Sequence, residues 1–356
     1  MDHLLIRKVR RRDRIARWII TFGGILIVIS VLGILLLIAE VALPLFAPAT
    51  QQVVARFRAP STAQPALAVG VDEYLETAYT LSPEGVFTFF DAHDGRTLRS
   101  EALARPAPAA RVVAAEGTAR LRYTLLWSDG TVTLERLVFR PVFDADSRRT
   151  IASTLERSAR FAPEPGAAPT RLAVARAAGD EGAVLARLTA DGRLRVTRQV
   201  VATSLLGEST TETHTLDVAD LPDAPLSAMT LDSAGDTLYL GTADGRLARW
   251  DLREPGEARR LGQVQAFADG RAVTALTLLL GDISLAVGDE RGGHATWFPV
   301  PAEDGTKRLR RIHPLQPHQA PVTRILATAN NKALLSVSAD GRLLYDYTTN
   351  QRHLLS

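Results

Sequence analysis

The chain has 356 residues, of which 46% are hydrophobic and 23% charged, enough to bury the core of one large domain or two ordinary ones. It contains no cysteine, which excludes disulfides, thiolate metal sites and a cysteine nucleophile but assigns no compartment. The net charge of +3 is a local effect: seven basic side chains (Arg7, Lys8, Arg10, Arg11, Arg12, Arg14, Arg17) face only Asp2 and Asp13 within residues 1–17, and the rest of the chain is near neutral. Nucleic-acid binding would need a basic face on the folded part, so that function class is set aside.

The basic tail at 1–17 is followed by "WIITFGGILIVISVLGILLLIAEVALPLF" at 18–46. Residues 18–39 carry no charge, and as a helix of about 1.5 Å per residue they span about 33 Å, enough to cross a hydrocarbon core of about 30 Å. Trp18 and Phe46 sit where interfacial aromatics belong, and Glu40 lies close enough to the end to snorkel outward. "APA" at 47–49 resembles a cleavage site, but signal peptides carry an apolar region of only about 7–15 residues, so the segment predicts an uncleaved anchor. The one-sided basic cluster predicts a cytoplasmic N-terminus, with everything after Pro48 outside the inner membrane.

Residues 47–66 are rich in Pro, Ala and Gln and read as a linker. From 67 to 356 short apolar runs alternate with turn signals. "TADGRLRVTR" (189–198), "TADGRLARWD" (242–251) and "SADGRLLYDY" (338–347) share a small polar residue, then Asp-Gly. Looser versions are "SPEGVFTFFD" (82–91), "WSDGTVTLER" (127–136) and "DERGGHATWF" (289–298). Asp-Gly between apolar runs signals a tight hairpin, because glycine takes the positive φ at no steric cost. The turn glycines Gly85, Gly130, Gly192, Gly245, Gly292 and Gly341 recur at intervals of 45, 62, 53, 47 and 49 residues. One hairpin signal per roughly 40–50 residues is the scale of a propeller blade. Residues 226–261 parse as four short strands with turns at "SAGD", "ADGR" and "REPGEA". The reading is an all-β, divergent β-propeller of six four-stranded blades, with room for a seventh between 130 and 192. Arg249 falls where strict alternation wants an apolar residue.

No spacing supports catalysis. There is no His-Glu-x-x-His, no Gly-x-Ser-x-Gly and no phosphate loop. His313 and His318 lie five apart among prolines with no third ligand nearby, which reads as loop composition. The turn residues Asp191, Asp244 and Asp340 offer one carboxylate each, too few for a calcium loop. Trp127, Trp250 and Trp297 each lie beside a turn and read as core or blade-interface residues. The expectation is no enzyme activity, no cofactor and no metal.

The N-terminal pieces "DRIARW", the Gly23-Gly24 pair and "ALPLF" (42–46), followed by a propeller whose Trp250-Asp251 fits the WD-repeat pattern, resemble the N-terminal part of the long-form permease subunit of bacterial phosphate ABC transporters. That resemblance implies an accessory or regulatory periplasmic domain of a phosphate importer. Its implied partners are a second permease, an ATPase and a periplasmic phosphate-binding protein. In such permeases a helix bundle follows the propeller, whereas no second apolar span follows here. The resemblance therefore implies a fragment or a split relative, with no transport-path residue to carry over. The other reading is an independent anchored scaffold for envelope proteins.

Overall fold

The computed structural model describes residues 3–43, 56–57, 65–119, 121–143, 146–147, 149–163, 173–177, 182–189, 192–203, 209–254, 256–279, 281–303, 305–328, 333–348 and 353–355. The chain divides into two compact units, residues 1–52 and 53–356.

The first unit is one helix, α1 (His3–Ala42), 40 residues long. It is continuous from the basic stretch into the apolar one. No proline interrupts it, and its Ile and Val content, poor for a helix in water, suits a bilayer, where every backbone polar group must be satisfied internally. Within it Ala16–Ala42 has a mean hydropathy of 2.9 over its most apolar window, none of which is buried against protein. Ser30 settles its hydroxyl by donating to the Leu26 carbonyl at 2.9 Å. The described helix reaches Ala42, and residues 44–46 of the expected span lie outside the described residues.

The second unit is a β-propeller. Its described residues form six four-stranded antiparallel sheets, each built from consecutive strands. Blade 1 comprises β1 (Ala68–Val71), β2 (Thr77–Leu81), β3 (Val86–Asp91) and β4 (Thr97–Ala102). Blade 2 comprises β5 (Val112–Ala119), β6 (Arg122–Trp127), β7 (Val132–Phe143) and β8 (Arg149–Phe161). Blade 3 comprises β9 (Ala173–Ala177), β10 (Gly182–Leu188), β11 (Leu194–Thr203) and β12 (Ser209–Asp217). Blade 4 comprises β13 (Leu226–Leu231), β14 (Thr237–Thr242), β15 (Arg246–Asp251) and β16 (Arg259–Gln265). Blade 5 comprises β17 (Val273–Leu278), β18 (Leu285–Asp289), β19 (His294–Pro301) and β20 (Lys307–Pro314). Blade 6 comprises β21 (Val322–Ala327), β22 (Ala333–Ser338), β23 (Leu343–Tyr347) and β24 (His353–Leu355).

The room for a seventh blade is filled otherwise. β7 and β8 are 12 and 13 residues long, and β6 pairs only with the stretch of β7 up to Arg136. From Leu137↔Leu155 to Phe143↔Arg149 the two strands run on as a ribbon of their own.

The hydrophobic clusters lie between blades rather than within them. One joins Tyr79, Phe87 and Phe89 of blade 1 to Leu125, Trp127 and Phe139 of blade 2. Another joins Val184 and Leu194 of blade 3 to Leu238 and Trp250 of blade 4, and a third joins Leu247 of blade 4 to Val287 and Trp297 of blade 5. Trp127, Trp250 and Trp297 are all buried. Gly241 and Gly288 permit this approach, since a Cβ there would stand 2.4 Å from Val273 Cγ1 and 2.7 Å from Val322 Cγ1 of the following blade. Arg249 breaks the alternation because it is buried at the same kind of seam. Its guanidinium donates to the Lys307 carbonyl of blade 5. Most of the expected linker lies outside the described residues. Phe57, within it, packs edge-on against Phe90 of blade 1 with ring centres 5.8 Å apart.

Candidate functional site

The six turn glycines occupy one structural position, between the second and third strands of successive blades, with φ of 75° to 91°. In five of the six a polar residue three positions earlier (Ser82, Thr189, Thr242, Asp289, Ser338) is buried and holds the turn, while before Gly130 that position is the buried Trp127. Thr242 Oγ1 accepts the Arg246 amide at 2.8 Å and donates to Asp244 Oδ1 at 2.5 Å; Thr189 Oγ1 donates to the Arg193 carbonyl at 2.8 Å. Ser338 donates to Asp340, which lowers that carboxyl's pKa, with help from the Arg342 amide. Asp244 also pairs with Arg246 at 2.9 Å. These carboxylates are engaged by their own turns and point to no common centre. Asp191 lies outside the described residues. Among the described residues no three or more His, Asp or Glu side chains are grouped so as to hold a metal ion.

The turns also clamp the connection that leaves each blade. The Gly85 carbonyl accepts the Leu103 amide at 2.9 Å, Gly245 accepts Ala266 at 2.8 Å, and Gly292 accepts His318 at 2.9 Å. This last clamp draws His318 out of its expected loop role and into the protein. Pro317 and Pro321, beyond the end of β20 at Pro314, keep the segment out of the sheet. The His318 side chain is buried between blades 5 and 6.

There it meets a buried polar cluster. His318 Nε2 lies 2.8 Å from Ser336 Oγ on β22. Ser336 Oγ lies 3.3 Å from His294 Nε2 at the start of β19, and the same nitrogen lies 3.3 Å from Asp346 Oδ2 on β23. The two imidazoles are 5.4 Å apart. His294 and Asp346 are 0% and 1% exposed at the side chain. Burial lowers the His318 pKa from 6.5, and neighbouring His294 and Arg342 push it the same way.

Ser, His and Asp in contact invite a nucleophilic reading, but the geometry argues against one. A relay needs the carboxylate on one ring nitrogen and the hydroxyl on the other. Here both face His294 Nε2, while His294 Nδ1 and His318 Nδ1 are buried without a partner. The cluster is also closed to any substrate. Its chemistry is that of a polar pin between two blades. Sequence reasoning missed it because its four members come from four separate strands and loops. The one available signal was His294 at an inward position of an otherwise apolar strand.

Other perturbed carboxyls are likewise committed. Burial raises the Glu135 pKa, opposed by Arg157, whose Nε donates to it at 2.7 Å. Asp72 and Asp232, raised by burial, each accept the amide four residues on, at 2.9 and 2.7 Å, in the first hairpin of blades 1 and 4. The basic cluster of the tail lies within α1; only the backbone of residues 3–15 is described, and Arg17 is exposed.

No protein-family model matches this chain, and no curated protein matches it. Among solved structures, the β-propeller domain of Cps50 (Swd1) from Myceliophteria thermophila superposes with a TM-score of 0.51 at 14% identity, over 81% of this chain and 85% of that one. The computationally designed Ika8 protein aligns with a TM-score of 0.46 at 15% identity, over 81% of this chain and 73% of that one. At such identity the likeness to Cps50 is one of fold, and the fold is a WD-repeat-like β-propeller.

Proposed function

We propose that this chain is a membrane-anchored binding module: an inner-membrane helix carrying a periplasmic propeller that serves a phosphate importer's permease as an accessory or regulatory domain. The observation that supports anchorage is the 27-residue stretch Ala16–Ala42, whose most apolar window is unburied and which carries charge only near its ends, at Arg17 and Glu40. A helix hydrophobic on every face has no stable place in water, and a bilayer supplies what a protein core does not. The basic residues before it favour a cytoplasmic N-terminus. A non-catalytic role is supported by the commitment of the buried carboxyls Asp72, Glu135 and Asp232 to structural partners. The importer assignment rests on the resemblance of "DRIARW", Gly23-Gly24 and "ALPLF", joined to a propeller.

Crosslinking of the tagged full chain in phosphate-starved bacterial cells, followed by purification in detergent, tests the proposal. The second permease, the ATPase and the phosphate-binding protein should be enriched. A chain found at the membrane without them, crosslinked to other envelope proteins, would replace the importer with an independent scaffold. A chain cut near residue 49 and released from the membrane would remove the anchor as well.

A further inference from the structure

Buried apolar clusters join blade 1 to blade 2, 2 to 3, 3 to 4, 4 to 5 and 5 to 6. Among the described residues no such cluster joins blade 6 to blade 1. The ring nonetheless comes round. Burial raises the pKa of Tyr123 in blade 2, and the Tyr79 hydroxyl and the charge of Arg324, on β21 of blade 6, oppose that rise. Apolar side chains are left in solvent on both blades that meet here: Val69 and Val71 of β1 are 70% and 39% exposed, and Leu326 of β21 and Leu343 of β23 are exposed as well. No strand is exchanged to cover them. Each sheet is built from consecutive strands, so β1 and β24, from the two ends of the described propeller, complete different blades.

The inner strands show the same break. In blades 4, 5 and 6 the first strand is bulged at Ser227, Thr274 and Thr323. Ser227 Oγ donates to the Val273 carbonyl of blade 5, and Thr274 Oγ1 to the Val322 carbonyl of blade 6, each at 2.6 Å. Thr323 Oγ1, at the same place in blade 6, donates instead to the Val337 carbonyl of its own blade at 3.1 Å. The residue paired just past the bulge is Gly241 in blade 4 and Gly288 in blade 5, and each lies against a valine of the next blade. In blade 6 it is Val337, which is half-buried and belongs to none of the clusters. Blade 2 also lacks the hydroxyl and the glycine, with Val113 and Leu126 in their places, but Leu126 is buried in the cluster shared with blade 3.

We infer that the propeller is a ring with one unlatched seam, between blades 6 and 1, and that it opens there while the other five seams stay shut. Opening is easiest where it separates the least buried apolar surface. Blade 1 is also the blade that the chain from α1 leads into, and Phe57 on that chain packs against Phe90 of blade 1. A pull along the chain is therefore borne by blade 1. That blade holds blade 2 through a broad aromatic cluster and shares no cluster with blade 6, so the seam yields first and acts as a hinge.

The chain has no cysteine, so pairs of cysteines can be introduced and spin-labelled without background. The test measures nitroxide–nitroxide distances by double electron–electron resonance in the full chain in detergent micelles, with and without urea below the unfolding midpoint. Leu98→Cys with Leu343→Cys places labels at exposed positions of blades 1 and 6, and Gln263→Cys with Arg310→Cys places them at exposed positions of blades 4 and 5. The 98–343 pair should show a second, longer population of about a tenth or more, growing with urea before the far-UV circular dichroism changes. The 263–310 pair should keep a single distance over the same range. Thr323→Ala should leave the 98–343 distribution as it was, because that hydroxyl latches nothing across the seam. A single 98–343 distance that persists up to global unfolding would overturn the unlatched seam. So would longer populations that appear in both pairs together, or a 98–343 distribution that widens on Thr323→Ala.

Discussion

Blades 4 to 6 and blades 2 and 3 solve one packing problem with different strand lengths. In blade 4 the strands run six, six, six and seven residues. In blade 2 the third and fourth strands reach 12 and 13, and in blade 3 they reach ten and nine. Most of the extra length falls in the same place both times, the outer hairpin; the first two strands of these blades run from five to eight residues. The first two strands are held by the next blade, as Gly241 of β14 against Val273 shows, while the outer hairpin projects where blades diverge and can lengthen. The blade 2 ribbon then folds back over blade 1. Phe139 stacks on Tyr79 at 6.1 Å and meets Phe89 edge-on, and Arg149 pairs with Glu76 above the Tyr74 ring.

The comparison breaks first at the seams. Trp250 is 0% exposed between blades 3 and 4. Trp250→Ala should cost about 4 kcal/mol, the loss expected for a large aromatic in a rigid site. Phe139→Ala, at the foot of the ribbon, should cost about 3 kcal/mol because the ribbon can settle into part of the space. Urea midpoints of the full chain in micelles measure both. A ribbon substitution costlier than the seam substitution would mean that the long hairpin is the organising element.

The turns sharpen it next. Gly245 and Gly192 have the same backbone, with φ of 81° and 83°. Their surroundings differ. A Cβ on Gly245 would meet the Arg271 carbonyl at 2.6 Å, because this turn clamps the connection to blade 5, whereas a Cβ on Gly192 meets nothing within 4 Å. Gly192→Ala should cost about 1 kcal/mol, from the left-handed backbone alone. Gly245→Val should cost about 3 kcal/mol, adding the clash and the rigidity of a β-branched side chain. Equal losses at the two positions would show that the clamp adds nothing.

These same residues mark how far the sequence could be read. The Asp-Gly turns were legible because only a narrow backbone geometry suits them, and a buried hydroxyl precedes three of them, at Thr189, Thr242 and Ser338. Four-stranded blades at 226–261 followed from turn spacing. The ribbon at 137–155 was not legible, because nothing in a strand's composition states where its partner sheet ends; a 62-residue interval fits an extra blade equally well. Arg249 looked like a flaw in the pattern because its acceptor, the Lys307 carbonyl, lies 58 positions away. His294, Ser336 and Asp346 converge only when blades 5 and 6 pack. The helix ran further back than the apolar stretch, since arginines extend a helix without marking its start.

The seam between blades 5 and 6 differs from the one between blades 1 and 2 in its buried imidazoles, and pH separates them. His318 has its pKa lowered from 6.5, by burial first. Between that lowered native value and the unfolded value of about 6.5, the unfolded chain binds more protons, so stability rises with pH across this window and falls on acidification from about pH 7. His318→Gln should remove this dependence, leaving a profile that differs from wild type below about pH 6.5 and parallels it above. Parallel curves down to pH 5 would place the acid sensitivity in another group.

The smallest effect belongs to the ribbon's tip. Val142 and Phe143 are exposed, and this end of β7, past its pairing with β6, pairs with β8 alone among the described residues. A substitution there removes little buried surface, so Val142→Ser should shift stability by no more than about 0.5 kcal/mol. The same change at Val287, fully buried between blades 4 and 5, should cost several times as much, because it both empties space and strands a hydroxyl. The pair isolates position from chemistry. If Val142→Ser proved as damaging as Val287→Ser, the tip would have to be packed against something other than this propeller, and the lengthened hairpin of blade 2 would be a contact surface rather than a tolerated extension of the rim.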